Sequence, residues 1–344
     1  RRAGWWQHPF SRTLIVAHAC FAVLVVMALP INKRGQPLNT ANFAPAEVVI
    51  AGEHYLHPTA LDDSKSCGAI GCHPDLYEQW NESAHHFSSF NNPYYQKSIE
   101  VLLADGATDK MRWCASCHDP LLLTSGDLEN VEADFFEQHP RAEKGITCLS
   151  CHAVQEVADV TGNGNYDIED PGYAALSRTF LHQSPELRKF FIQTKPEPHA
   201  TSMIAPVLET EQFCTSCHKV SVPVAVNNYR RKPGQNHYDD WYSSSFSGKH
   251  ARAFYDRDAQ TCNDCHMPKV PSTDAGNDNG LIKSHRFAAA NTALPYLNQH
   301  PQQLAATVAS LQNDIAELDI FSIKVNGNVQ PPNTVSNLQA GDRV

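Results

Sequence analysis

Five times in this chain a pair of cysteines ends in a histidine, and no other feature constrains the fold as strongly. Four copies are regular: "CASCH" at Cys114, Cys117 and His118, "CLSCH" at Cys148, Cys151 and His152, "CTSCH" at Cys214, Cys217 and His218, and "CNDCH" at Cys262, Cys265 and His266. C-x-x-C-H is the attachment signature of c-type haem. Two thiols must reach the two vinyl groups on one porphyrin edge, and the next residue swings its imidazole under the iron. Zinc knuckles and redox dithiols also use paired cysteines. Neither gives a reason for histidine to follow the second cysteine four times over.

The copy nearest the N-terminus, "SCGAIGCH", is stretched, with four residues between Cys67 and Cys72 before His73. Of the 11 cysteines, the regular motifs take eight, this stretch takes two, and Cys20 stands alone. A Cys67–Cys72 disulfide would leave His73 a coincidence, whereas Gly68 and Gly71 make a bulged attachment loop inexpensive. The expectation is five covalently bound haems with proximal ligands His73, His118, His152, His218 and His266. The motifs are numbered one to five in chain order below. Between residues 67 and 300 each haem has on average under 47 residues around it. A core at that density is largely porphyrin, with short helices and long loops.

The chain holds 18 histidines. With five proximal and His8 and His18 near the N-terminus, eleven remain in the rest of the chain. That surplus suggests bis-histidine iron, whose closed sixth position favours electron transfer over chemistry at the metal. The distal candidates are His85, His285, His199 and His250, with His54 or His57 just ahead of motif one. Met203 is a weaker thioether candidate, since methionine more often packs than ligates.

Downstream of motif one, Trp80, Ser83 and His85 read W-x-x-S-x-H. With "GITCLSCH", "FCTSCH", "CNDCHMP" and "SHRF", residues 60–300 resemble the multihaem cytochromes c related to the tetrahaem electron carrier of ammonia oxidation. That group shares a wider superfamily with hydroxylamine oxidoreductase and the pentahaem nitrite reductases. The resemblance implies that His85 is a distal haem ligand, and a stretched C-x4-C-H motif is a known variant of such proteins. The nitrite reductases use lysine on their catalytic haem, and no C-x-x-C-K occurs here. An electron carrier is therefore expected rather than an enzyme. The alternatives are a haem enzyme of nitrogen or sulfur oxyanion chemistry with one open-faced haem, and a docking subunit of a respiratory or photosynthetic complex.

"DVTGNGNYDIED" matches a calcium-loop template, with oxygens available from Asp159, Thr161, Asn163, Asn165, Asp167 and Asp170. The rival is a β-hairpin turned at Asn163-Gly164. Because no helix signal flanks the loop and its asparagines lower the charge, the hairpin leads and calcium is the second reading.

Leu14 to Leu29 is a run of 16 residues in which His18 is the clearly polar one. With its neighbours it approaches the roughly 20 residues that span a bilayer. Trp5 and Trp6 precede it, and no A-x-A cleavage pattern follows. A single-pass anchor in the inner (cytoplasmic) membrane is expected, with the haem domain in the periplasm or an equivalent extracytoplasmic space. The formal charge of -10 argues against nucleic acid, whose binding rests on lysine and arginine neutralising phosphates. The expected partners are redox proteins, a membrane complex among them.

The expected layout is an anchor helix over 1–31, a linker over 32–66, a pentahaem domain over 67–300, and over 301–344 a helix with the first strands of a β-domain that continues beyond the chain. The fold class is mainly α with long loops, after one transmembrane helix.

Overall fold

The structure is a computed structural model. It describes residues 38–344 apart from 40–42, 52–54, 57, 59–60, 63, 132–138, 170–184, 250–257, 314–319 and 336. The chain divides into two compact units, one of residues 1–66 and 87–261, the other of residues 67–86 and 262–344. Motifs two, three and four belong to unit one, and motifs one and five to unit two.

Unit one is organised on a small sheet of β1 (Leu38–Asn39), β2 (Val49–Ala51), β3 (Val154–Val157) and β4 (Tyr166–Ile168), in the order β1-β2-β4-β3. β2 and β4 run parallel with Ile50 opposite Ile168, and β3 and β4 form an antiparallel hairpin. The alternation of strand side chains buries Tyr166 and Ile168. They join one apolar cluster with Phe43, Val48, Leu61, Ile99 and Met111.

The helices of this unit are short, and each has local reasons to begin and end. Pro93–Ala104 starts on Asn92, whose side chain accepts from the amides of Tyr94 and Tyr95, with Pro93 preset for the first turn. Pro120–Ser125 carries Leu121, Leu122 and Leu123, all fully buried, and ends at Gly126 in the left-handed region. A hairpin of β5 (Lys219–Val222) and β6 (Lys232–Asn236) follows motif four.

The turn between β3 and β4 is a wedge. Gly162, Asn163 and Gly164 all have positive φ (80°, 61° and 72°). In that conformation Asn163 N donates to the Lys219 carbonyl at 3.1 Å and Gly164 N to the Ser216 carbonyl at 2.8 Å. Tyr166, just beyond, donates its hydroxyl to the Ser116 carbonyl at 2.7 Å. One turn thereby holds the segments of motifs two and four together.

Unit two pairs β7 (Lys269–Pro271) with β8 (Leu281–Lys283) and adds the helices Pro74–Asn81, Cys262–His266, Ala293–Leu297 and Pro301–Leu311. Asp274 caps the Pro74–Asn81 helix by accepting from Asp75 N (3.1 Å) and Leu76 N (3.0 Å). A half-buried pair joins Arg286 to Glu82 at 2.6 Å. At its C-terminal end β9 (Ile323–Val325) and β10 (Asn328–Gln330) turn at Asn326-Gly327, both with positive φ, as two-residue hairpins require.

Two expectations are corrected. The fold is a mixture of short helices with one four-stranded sheet and two-stranded hairpins, rather than mainly α. Among the described residues no helix is long and apolar enough to cross a membrane. Pro93–Ala104, with 12 residues, reaches about 18 Å against a hydrocarbon core of about 30 Å. The single-pass inner-membrane placement is withdrawn accordingly, and the apolar run 14–29 on which it rested lies outside the described residues.

Steric fit at the wedge yields a prediction. A Cβ on Gly162 would sit 1.8 Å from the Lys219 carbonyl oxygen, while one on Gly280, also at positive φ, meets nothing within 4 Å. Gly280→Ala should cost about 1 kcal/mol from the left-handed backbone alone, and Gly162→Ala clearly more. Equal losses in urea unfolding of the haem-loaded protein would show that the wedge carries no load.

Candidate haem sites

In motifs two to five the cysteines and histidine lie on helices: Met111–His118, Cys148–His152, Glu211–His218 and Cys262–His266. Positions i, i+3 and i+4 share one helix face. Helical winding therefore turns both thiols and the imidazole the same way. In three of these motifs the residue before the second cysteine is a buried serine: Ser116, Ser150 and Ser216. Ser116 and Ser216 donate to the carbonyls of Trp113 and Phe213, each at 2.8 Å. Ser150 closes a capping box with Thr147. Each buried hydroxyl is thereby satisfied by its own helix backbone or cap, and the repeated serine was the sequence signal for it.

Three of the proximal imidazoles are held from behind. His118 Nδ1 lies 2.7 Å from the Ser88 carbonyl oxygen, His152 Nδ1 2.7 Å from that of Met203, and His266 Nδ1 2.8 Å from that of Ala288. A carbonyl only accepts, so each Nδ1 carries the proton and each Nε2 keeps its lone pair for a metal. His218 differs, its Nδ1 standing 3.3 Å from His237 Nδ1. Burial depresses the pKa of His118 and His73, opposed by the Ser88 hydrogen bond and the Asp274 charge respectively. Burial thus favours the neutral ring that ligation needs. Tyr95 stacks on the His118 ring at 4.6 Å.

Motif one reaches a comparable arrangement through a bulge. Its helix, Ser64–Cys67, ends at the first cysteine. Cys72 N then donates to the Ala69 carbonyl and His73 N to the Cys67 carbonyl, both at 2.9 Å, with Gly71 at φ 79°. The two additional residues are absorbed in that turn. Tyr77 packs over Gly68 so closely that a Cβ there would lie 2.5 Å from its ring. Gly276 backs His73, a Cβ on it falling 3.1 Å from Cε1, and Ala275 N donates to the Cys72 carbonyl at 3.0 Å.

Thiol packing relates the motifs of unit one. The Cys117 and Cys217 thiols are hydrogen-bonded to each other, which raises the pKa of Cys117 and lowers that of Cys217. Burial pushes Cys114 up to about 11. The second attachment points of motifs two and four are therefore neighbours.

Of the distal candidates, His85 and His285 both contact the Phe287 ring, with centroids 4.3 and 5.5 Å away in edge-on geometry. Phe287 itself has φ 47°, a costly conformation for an aromatic residue. Trp80 of the W-x-x-S-x-H pattern packs against His86 (4.7 Å). His199 is half-buried on the Glu197–Met203 helix. That helix ends with the carbonyl that holds His152, so Met203 acts through its backbone there. His54, His57 and His250 lie outside the described residues. Sequence reasoning did not single out His237, Ser88, Ala288 or Asp274.

The structure does not confirm the calcium reading. The Asp159 carboxylate accepts from Thr161 N, Thr161 Oγ1 and Asn165 Nδ2. Asn163 Oδ1 accepts from Ser221 N at 2.9 Å, and Asp167 lies in β4, its pKa raised by burial. The Asp159 carboxylate and Asn163 Oδ1 are thus engaged in the hairpin turn, Asn165 Oδ1 is buried without a hydrogen-bond partner, and Asp170 lies outside the described residues. Among the described residues no cluster of His, Cys, Asp and Glu could hold a bare metal ion.

A family model described as cytochrome c554 and c-prime matches residues 67–153, about a quarter of the chain, covering motifs one to three. No curated protein and no solved structure matches. The family match supports a multihaem c-type cytochrome with an electron-transfer role and covalently bound haem.

Two predictions follow from the site geometry. Gly68→Ala should lower haem loading at motif one, seen as loss of one haem mass from part of the population, and adding Tyr77→Ala should restore it. A fully loaded Gly68→Ala protein would contradict the bulge. Asp119, adjacent to His118, is raised by burial to about 7 from 3.8, against the opposing Ser89 and Tyr95 hydrogen bonds. The folded state then holds a proton that the unfolded state has lost, so this group's contribution to stability falls from about pH 4 to about pH 7. Asp119→Asn should remove that slope, and urea midpoints at about pH 5 and about pH 8 would reveal it. An unchanged slope would show that Asp119 ionises without cost.

Proposed function

We propose that this chain is an electron carrier in which five covalently attached haems relay electrons between protein partners. The observation that carries the proposal is the commitment of three proximal Nδ1 groups to backbone carbonyls 22 to 51 residues away, which leaves the lone pair of each of those Nε2 atoms for a metal. Haem, when bound, supplies one-electron redox chemistry, and the protein's part is ligation, burial and hydrogen bonding. Cys67 and Cys72, Cys114 and Cys117, Cys148 and Cys151, Cys214 and Cys217, and Cys262 and Cys265 are the proposed attachment pairs. His85 and His285 are proposed as distal ligands, with His199 as a third. A sixth imidazole would shield the iron from small substrates, which is why a carrier is favoured over an oxyanion enzyme.

The expected outcome is a mass increase of five haems and a wholly low-spin spectrum that carbon monoxide, nitrite and hydroxylamine leave unchanged. A haem whose spectrum shifts with carbon monoxide would replace the carrier with an enzyme carrying an open iron face. Four haem masses in the wild type, unaltered by the double change Cys67→Ser and Cys72→Ser, would remove motif one from the set.

A further inference from the structure

We propose that the β5–β6 hairpin is the docking site for an acidic redox protein, which exchanges electrons through motif four. The inference rests on the electron-carrier reading and adds to it an entry point and the chemistry of the partner.

Position is the first argument. β5 begins at Lys219, directly after His218. The hairpin is fastened to the motif by Gln235 Nε2, which donates to the Cys217 carbonyl at 3.0 Å, and by the His218–His237 contact. Exposure is the second. Among the three proximal histidines of unit one, His218 is exposed whereas His118 and His152 are half-buried. Residues 228–235 are exposed without interruption.

Charge decides which partner fits. The chain as a whole carries -10, yet from residue 212 to 238 it has four basic residues, Lys219, Arg230, Arg231 and Lys232, and no acidic one. Lys219 is paired with Asp239 at 2.8 Å, and Arg231 donates from Nε to Ser221 Oγ at 2.6 Å. Arg230 and Lys232 flank Tyr229, 5.2 and 5.8 Å from its ring centre, and Tyr229 is 61 % exposed. An exposed tyrosine between two cations is the composition of an interface centre rather than of an ordinary solvated face. A strongly acidic partner would be repelled by the net charge elsewhere and drawn to this hairpin, which orients encounter as well as speeding it.

The test uses the haem-loaded protein and the double charge reversal Arg230→Glu with Lys232→Glu, which leaves Arg231 on Ser221. Reduced plant-type ferredoxin serves as the acidic probe and a basic mitochondrial-type cytochrome c as the counter-probe, both followed by stopped flow. The expected result is a roughly tenfold drop in the ferredoxin rate constant at low salt and a flattened salt dependence, with no drop for cytochrome c. An unchanged ferredoxin rate, or an equal loss with both probes, overturns the proposal. Binding to phosphatidylserine vesicles that the reversal abolishes, with the ferredoxin rate intact, would assign the hairpin to a lipid surface and overturn it as well. Haem mass and the dithionite-reduced spectrum of the variant must match the wild type. The carbon monoxide response, read separately, reports on the carrier reading itself.

Discussion

An imidazole whose Nδ1–H is bonded to a carbonyl offers Nε2 to a metal in a fixed tautomer and orientation, and three such bonds organise much of the chain. Ser88, Met203 and Ala288 each bring a carbonyl behind a proximal ring, from 30, 51 and 22 residues away. Each such bond fixes a tautomer and a ring orientation at once. The intervening chain must therefore return to a set place, and short helices with tight turns are the economical means of doing so. The Glu197–Met203 helix illustrates the point, because its last residue supplies the carbonyl for His152.

The wedge at Gly162–Gly164 adds a second level of organisation. It binds the Ser216 and Lys219 carbonyls directly, and a Cβ on Gly164 would meet the Ser116 side chain at 2.5 Å. Ser116 and Ser216 each precede a second cysteine, so one turn places Cys117 against Cys217. Electron exchange between groups attached at those two sulfurs would begin from neighbouring edges. The same loop matches a calcium template because a hairpin turn and a calcium loop both demand closely spaced Asp, Asn and Gly.

Covalent attachment was legible in the sequence because its chemistry fixes both residue type and spacing. The partners of the histidines were not. A backbone carbonyl is the same on serine, methionine and alanine, so no residue type announced Ser88, Met203 or Ala288. His237 was visible only as one of many spare histidines. The β3–β4 half of the sheet was legible from its Asn163-Gly164 turn, whereas β1 and β2, two and three residues long, are too short to show a period of two. By contrast, a bulge at motif one was expected from Gly68 and Gly71: Gly71 takes the left-handed conformation, while Gly68 makes room for Tyr77.

The two units achieve stability by different means. Among the described residues the buried apolar side chains of unit two are Trp80, Ile282, Ala288 and Pro295, and all the others lie in unit one. Unit two relies on polar ties: Asp274 on the Pro74–Asn81 helix, Arg286 with Glu82, and buried Gln303 donating to the Arg286 carbonyl at 2.9 Å. A hydrogen bond contributes only about 1 kcal/mol net, against about 1.5–3 kcal/mol for a buried large apolar side chain. Unit one, by contrast, has an apolar core of its own on which its three motifs are mounted.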